Sequence, residues 1–427
     1  MLLNRTIPPA IAELSSDLSI TPEVIKTPSG ARLHIFENNI QPVIRVEFVF
    51  KAGKWFQTKP GVASLTAKML KEGTLEHDAK KIADTVDYYG ASLEVNHGFD
   101  RSTVTLYCLS KFLPSLLPLV FEIIQRPSFP ENEFKLMKQR VIQTLAVDKQ
   151  KNSYLATEAF TSAVYGKDHP YVSSISEEEI AALTINDLIS FHREAYTFSA
   201  AEVFITGNIT KAGIDAILSD LTDDADNVVS TSPRLDYLPQ TGLFLQQTAN
   251  QMQASIRVGC STITPSHQDY PGLYLLNHIL GGYFGSRLMK NIREDKGFTY
   301  GIYSAISNKE NSSLFFIGAD IKGDKIHETL AEISKELYLL KQEEVSEEEF
   351  VTAKKHLAGK FLSDHATLFD KMDKYKSNVL LGLPINFYSQ LLESIQALSP
   401  KELINVANKH LQEGSLLKIV TGGSKKL

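Results

Sequence analysis

The chain has 427 residues, more than one hydrophobic core fills and enough for two domains of roughly 200 residues each. Hydrophobic residues make up 43% and charged residues 22%, ordinary for a globular protein, and the net charge of −6 offers no basic face to nucleic acid. Two cysteines, Cys108 and Cys260, exclude a disulfide framework and fit a reducing compartment.

The opening "MLLNRTIPPAIAEL" lacks the charged and apolar regions of a secretory leader, because Arg5, Pro8 and Pro9 interrupt it. No apolar run is long enough to span a bilayer, so the expectation is a cytoplasmic protein with no membrane partner, the periplasm remaining open. "VIRVEFVFKAG" (43–53) puts Ile44, Val46, Phe48 and Phe50 on one side and Arg45, Glu47 and Lys51 mostly on the other, a strand period. A helix is predicted from Thr58–Pro60 to Gly73, with Val62, Leu65, Met69 and Leu70 at helical spacing inside "GVASLTAKML". "ASLEVNHGFDRSTVTLYCLS" (91–110) reads as a hairpin turning at "NHGFD". "KFLPSLLPLVFEIIQRPSF" then gives a long amphipathic helix. "PENEFKLMKQRVIQTLAVDK" gives another, with Pro130, Glu131 and Glu133 suited to its N-terminus.

The second half repeats the first. "IRV" at 44–46 recurs at 256–258, "SFPENEFKLMKQRV" (128–141) resembles "EVSEEEFVTAKKHL" (344–357), "ALTINDLI" (182–189) resembles "ALSPKELI" (397–404), and "VFITGN" (203–208) resembles "KIVTGG" (418–423). These matches keep one order at offsets of 212 to 216 residues, the mark of a tandem duplication. The acidic, Ser/Thr/Pro-bearing stretch 221–242 separates the copies. The expected organisation is therefore a domain over 1–225, a linker over 226–240 and a domain over 241–427. Each domain is expected to be α+β, a mostly antiparallel sheet with helices packed on one face.

"GVASLTAKMLKEGT" (61–74), "YGKDHPY" (165–171) and "LTINDLISFHREAYTFSAAEVFITGNI" (183–209) resemble the first half of the insulinase/pitrilysin (M16-type) metallopeptidases. "LGGYFGSRLMKNIREDKGFTYGIYS" (280–304) resembles the matching part of their second half. Nearly the whole chain is covered, most closely by the short processing-peptidase-like (M16B-type) members. The resemblance implies half of a clamshell that closes around an unfolded peptide.

In active members the first helix carries H-x-x-E-H, two histidines that bind zinc and a glutamate that activates the bound water. The resemblance places Ser64, Ala67 and Lys68 at those positions. A hydroxyl is a poor ligand, a methyl accepts no proton, and an ammonium repels a metal cation. The helix expected to supply a carboxylate offers Gln143, Thr144 and Leu145, and Asp148 lies too far along. No metal is expected in this chain, and zinc is expected in a partner. Glu72, Glu76 and His77 read as a solvated turn, and His97 and His169 as surface or capping residues.

The second half keeps more. By motif match Arg293 and Tyr300 are the arginine and tyrosine that reach the substrate across the chamber, with Gly297 between them. The guanidinium fork holds a peptide carbonyl or carboxylate, and the phenol donates where negative charge develops. Gly281, Gly282 and Gly285 either admit peptide backbone or make a turn. The commonplace alternatives are an ion pair of Arg293 with Glu294 or Asp295, and an ordinary strand aromatic at Tyr300. The resemblance thus implies the non-catalytic subunit of a heterodimeric peptidase, lending Arg293 and Tyr300 to a homologous subunit with intact H-x-x-E-H. The alternatives are a structural core subunit and a homodimeric peptide-binding clamshell without proteolytic role.

Overall fold

The computed structural model describes residues 18, 20–172, 174–221, 239–248, 250 and 252–423. The expected linker, 226–240, falls almost wholly outside the described residues. The first sheet has six strands: β1 (Glu23–Lys26), β2 (Arg32–Glu37), β3 (Val43–Phe50), β4 (Ser92–His97), β5 (Ser102–Leu109) and β6 (Glu202–Gly207). Their order is β1-β2-β6-β3-β5-β4. The second has five: β7 (Gly242–Gln246), β8 (Gln253–Thr262), β9 (Thr299–Lys309), β10 (Ser312–Lys322) and β11 (Leu417–Gly422), in the order β7-β11-β8-β10-β9. Apart from β1 the two orders superpose, and so do the strand directions. β2 with β6 and β7 with β11 are the parallel pairs, and the other neighbours are antiparallel. The chain is the expected α+β duplication, with β4 and β9 as equivalent free edges.

The repeat is physical as well as textual. "ALTINDLI" and "ALSPKELI" both open helices through capping boxes, Thr184 with Asp187 and Ser399 with Glu402, so two orphan amides are satisfied at each start. Lys138 donates to the carbonyls of Ala181 and Leu183 (2.6 and 2.9 Å), and Lys354 does the same to Gln396 and Leu398 (2.9 and 2.7 Å). The pairing register shifts one of the matches. Ile44 pairs with Gly207 and Ala254 with Gly422, so Ala254, not Ile256, is the counterpart of Ile44. A two-residue step keeps the same side of the strand inward, which is why the sequence match survives it.

Ile44, Val46, Phe48 and Phe50 are fully buried under the helices of the first half, where Phe48 meets Phe121 and Phe198 edge-on at 5.3 and 6.4 Å. The central strands of both sheets are also covered on their opposite faces, by helices exchanged between the halves. Helix Asn152–Tyr165 lies on β8 and β11, burying Ala156, Phe160 and Val164 with Leu314, Leu417 and Ile419. Helix Leu368–Leu380 lies on β6, burying Met372 and Tyr375 with Val49 and Phe204. Ion pairs tie the exchange: Arg101 to Glu310 through two bonds (2.5 and 2.9 Å), Arg45 to Asp373 (2.8 Å) and Lys376 to Glu47 (2.6 Å). No helix among the described residues is long and apolar enough to cross a membrane.

Candidate functional site

The first candidate site is the helix Val62–Met69. Gly61 sits before it at φ +84°, and a Cβ there would come within 2.6 Å of Ile180 and 2.7 Å of Ile175, so glycine is required. Val62, Ala63, Leu65, Ala67 and Met69 are buried, whereas Ser64 is half-buried and Lys68 exposed. Ser64 and Lys68 are one turn apart and share a side of the helix. On the neighbouring helix, Glu131–Asp148, Gln143 and Thr144 are exposed and Leu145 is buried. The Thr144 hydroxyl donates to the Arg140 carbonyl (2.9 Å), and Asp148 pairs with Lys151 (2.7 Å). This set of a hydroxyl, a methyl and an ammonium does not fit zinc, which takes imidazole, thiolate or carboxylate donors.

The nearby acidic and imidazole groups are engaged elsewhere. Glu76 pairs with Arg126 (3.2 Å) and His77 Nδ1 with Glu122 (2.9 Å), so this turn is tied down rather than simply solvated. Burial and then Glu133 hold the Glu72 carboxyl above the usual range. Among the described residues one group has the spacing of metal ligands, His267, Asp269 and His410, whose ligand atoms lie within 4.8 Å of one another. There Lys409 brings an ammonium to 3.2 Å from the Asp269 oxygen that His410 also contacts (2.9 Å), a charge network closing the end of helix Pro400–His410. His169 is a cap as expected, its Nδ1 accepting from the Tyr171 amide (3.0 Å). His97 is not a tip residue. It ends β4 on the side of Leu93 and Val95, and burial followed by Lys68 and Lys54 pushes its imidazole down to about 4.

The second candidate site lies at the start of β9. Arg293 belongs to a π-helical segment, Met289–Asp295, closed by the Lys296 amide donating to the Asn291 carbonyl five residues back (3.0 Å). Its Nε donates to the Tyr300 carbonyl (3.0 Å), its guanidinium lies over the Phe284 ring at 4.6 Å, and Glu294 stands 3.8 Å away. The arginine is therefore held by a backbone oxygen and a ring more than by the neighbouring carboxylate. Tyr300 falls in a β-bulge. Ile302 pairs with Ala319 and Thr299 with Ile321, so Tyr300 and Gly301 oppose Asp320 alone. The Thr299 hydroxyl fixes the bulge by donating to the Asp320 carbonyl (2.6 Å) and accepting from the Gly301 amide (3.1 Å). A bulge at an edge re-aims a side chain, and Tyr300 is 98% exposed. Arg293, Gly297, Tyr300 and Asp320 line a cleft of about 550 Å³.

Gly281 and Gly282 stand apart from that cleft lining. A Cβ on Gly281 would meet the Ser304 amide at 2.4 Å, so this glycine lets helix Tyr270–Gly281 pack against β9, and one on Gly282 would meet the His278 Cα at 2.6 Å in the helix's own last turn. Sequence reasoning missed Phe284 and the bulge. The signal for the bulge was the "TYG" triplet at the head of a strand, a hydroxyl before an aromatic and a glycine.

A model of the insulinase (peptidase family M16) domain matches residues 34–176, and one described as the peptidase M16 inactive domain matches 182–357. The chain belongs to the M16 family. A Helicobacter pylori relative named "non-peptidase homolog YmxG" is 24% identical over 408 residues, 91% of each chain. A Bacillus subtilis relative named "uncharacterized zinc protease YmxG" is 22% identical over 412 residues, 92% of this chain and 96% of its own. A crystal structure of a peptidase M16 inactive domain from Pseudomonas fluorescens superposes with a TM-score of 0.86 at 24% identity, covering 95% of this chain and 99% of that one. A Helicobacter pylori protease structure gives 0.83 at 18%, covering 94% and 100%. At these identities the likeness shows the fold, and M16 relatives named as proteases and as non-peptidases share it.

Proposed function

We propose that this chain is a non-catalytic, peptide-binding M16 subunit of the cytoplasm, whose Arg293 and Tyr300 serve the zinc site of a homologous partner with an intact H-x-x-E-H helix. The observation that carries the reading is the contrast between the halves. The first presents Ser64, Ala67 and Lys68 where ligands belong, while the second spends a bulge on holding Tyr300 almost wholly in solvent. At 98% exposure Tyr300 buries almost none of its ring against its own fold, which leaves the phenol free to meet a ligand. Zinc in the partner would supply the activated water. Tyr300 would donate its hydroxyl proton to the peptide oxygen where charge develops, and Arg293 would offer its outward N–H groups to a neighbouring carbonyl. Two such chains closing as a clamshell would admit extended or unfolded peptide.

The test is reconstitution. The chain is mixed with an M16 partner that carries the intact motif, and hydrolysis of an unstructured peptide is followed with Arg293→Ala and Tyr300→Phe. Loss of one donor to a developing oxyanion costs about 10²- to 10³-fold in rate, so that fall is expected with the assembled mass unchanged. An unchanged rate favours the second reading, a structural subunit. That reading draws on the Arg293 bond to the Tyr300 carbonyl, a contact an ordinary structural arginine makes.

A further inference from the structure

The turn that enters helix Tyr270–Gly281 and the end of helix Pro400–His410 bring two imidazoles and a carboxylate together. His267, Asp269 and His410 each offer one ligand atom, and these atoms lie within 4.8 Å of one another. His410 Nε2 stands 2.9 Å from Asp269 Oδ2, and the His267 and His410 rings meet edge-on with centroids 5.6 Å apart. The placement is built into the packing beneath. The two helices approach so closely that a Cβ on Gly272 would meet the Val406 side chain at 2.8 Å. Asp269 and His410 are thus held by a rigid framework, each side chain 16% exposed, while His267 is exposed and able to rotate. The ion pairs at this corner leave His267 out. Asp269 Oδ2 takes both His410 and the Lys409 ammonium (3.2 Å), and Asp269 Oδ1 has no hydrogen bond among the described residues. His267 Nδ1 accepts from the Asp269 amide (3.0 Å), a backbone bond within the turn. Two imidazoles beside one carboxylate are more donors than pairing with Lys409 needs.

We infer that His267, Asp269 and His410 form a site for a divalent transition cation of the zinc type, a clip that ties the entry of one second-half helix to the end of its neighbour. Two imidazole nitrogens and a carboxylate oxygen suit zinc, cobalt or nickel, whereas magnesium and calcium take mostly oxygen. Bonds of about 2.0–2.1 Å in a tetrahedron set donor atoms about 3.4 Å apart. A separation of up to 4.8 Å therefore closes by about 1.4 Å at most, within reach of rotating the exposed His267. In closing, His267 gives up its bond to the Asp269 amide, and Lys409, whose side chain is 58% exposed, swings into solvent. His410 is the last residue of its helix, where the negative end of the helix dipole favours a cation. The site uses none of Ser64, Ala67, Lys68, Arg293 and Tyr300, and it is independent of the peptide-binding reading.

The full chain, stripped with chelator, is titrated with zinc and separately with cobalt. One equivalent should bind at micromolar concentration, cobalt should develop the visible absorption of a protein-bound site, and the thermal midpoint should climb with zinc. Loss of an outer-shell partner alone costs about 10- to 100-fold in metal affinity, so removing a ligand by His267→Ala or His410→Ala should cost at least about tenfold. Lys409→Gln should do the opposite and tighten binding, because it removes the ammonium that competes for Asp269. His267 is exposed, so His267→Ala decides the matter even where His410→Ala disturbs the helix end. No saturation at micromolar zinc, binding that His267→Ala leaves unchanged, or weaker binding in Lys409→Gln overturns the inference.

Discussion

Replacing His278 with phenylalanine tests whether the second-half core is built for neutral pH. His278 is 4% exposed, its Nε2 lies 3.0 Å from Nδ1 of His356, and its ring stacks on Tyr283 at 4.7 Å. Burial first, then His356 and Lys360, push the imidazole down to about 4. One proton fits between the two facing nitrogens, and a second sets N–H against N–H. In the unfolded chain the same imidazole takes its proton near pH 6.5, so between about pH 6.5 and 4 the unfolded state binds more protons and stability falls as the pH falls. By pH 5 this amounts to roughly 2 kcal/mol, at about 1.36 kcal/mol per pH interval of one. With an unfolding entropy of about 2.1 cal/mol/K per residue over 427 residues, that is roughly 2 °C in Tm. His278→Phe keeps the stacking surface and removes the proton acceptor. Between pH 7.5 and 5, scanning calorimetry should show the native chain losing roughly 2 °C more than the variant. The comparison subtracts other buried histidines such as His192, also held at about 4 by burial. Equal losses would refute the reasoning.

Phe160→Ala should cost about 3–5 kcal/mol, because this 3%-exposed ring packs between a first-half helix and the second-half sheet. Its calorimetric signature should be one cooperative transition moved down; two transitions with one displaced would show that the exchanged helices do not couple the halves. Gly61→Ala should lower the urea midpoint by at least about 1 kcal/mol of stability, since the new Cβ meets Ile180 at 2.6 Å in a left-handed backbone conformation. An unchanged midpoint would mean that this corner relaxes.

The duplication was legible because its matches sit where physics repeats: capping boxes at Thr184 and Ser399, buried Phe134 and Phe350, and glycines closing β6 and β11. The hairpin around "NHGFD" and the helices over 113–125 and 131–148 followed from period and flanking residues. The helix Ala79–Tyr88 was passed over although Asp78 caps it, since its apolar positions are few and only Ile82 and Val86 are buried. The exchange of helices was invisible, because which sheet face Phe160 or Tyr375 covers depends on contacts hundreds of residues away in sequence or across the pseudo-repeat. For the site, the residue types at Ser64, Ala67 and Lys68 are read from the sequence alone, and the structure adds their helix and their exposure. The exposure of Tyr300 was not legible, being set by a bulge whose register only pairing with β10 reveals. The half-burial of His97 has a similar origin: strand alternation puts it on the side of Leu93 and Val95.

Zinc content measured together with peptide hydrolysis on the isolated chain tests the central claim most directly. After equilibration with micromolar zinc and desalting, the chain should hold no metal that survives His410→Ala, a substitution that removes the surface histidine–aspartate group, and should show no chelator-sensitive hydrolysis. One zinc per chain retained in that variant, with hydrolysis abolished by chelator, would contradict the account.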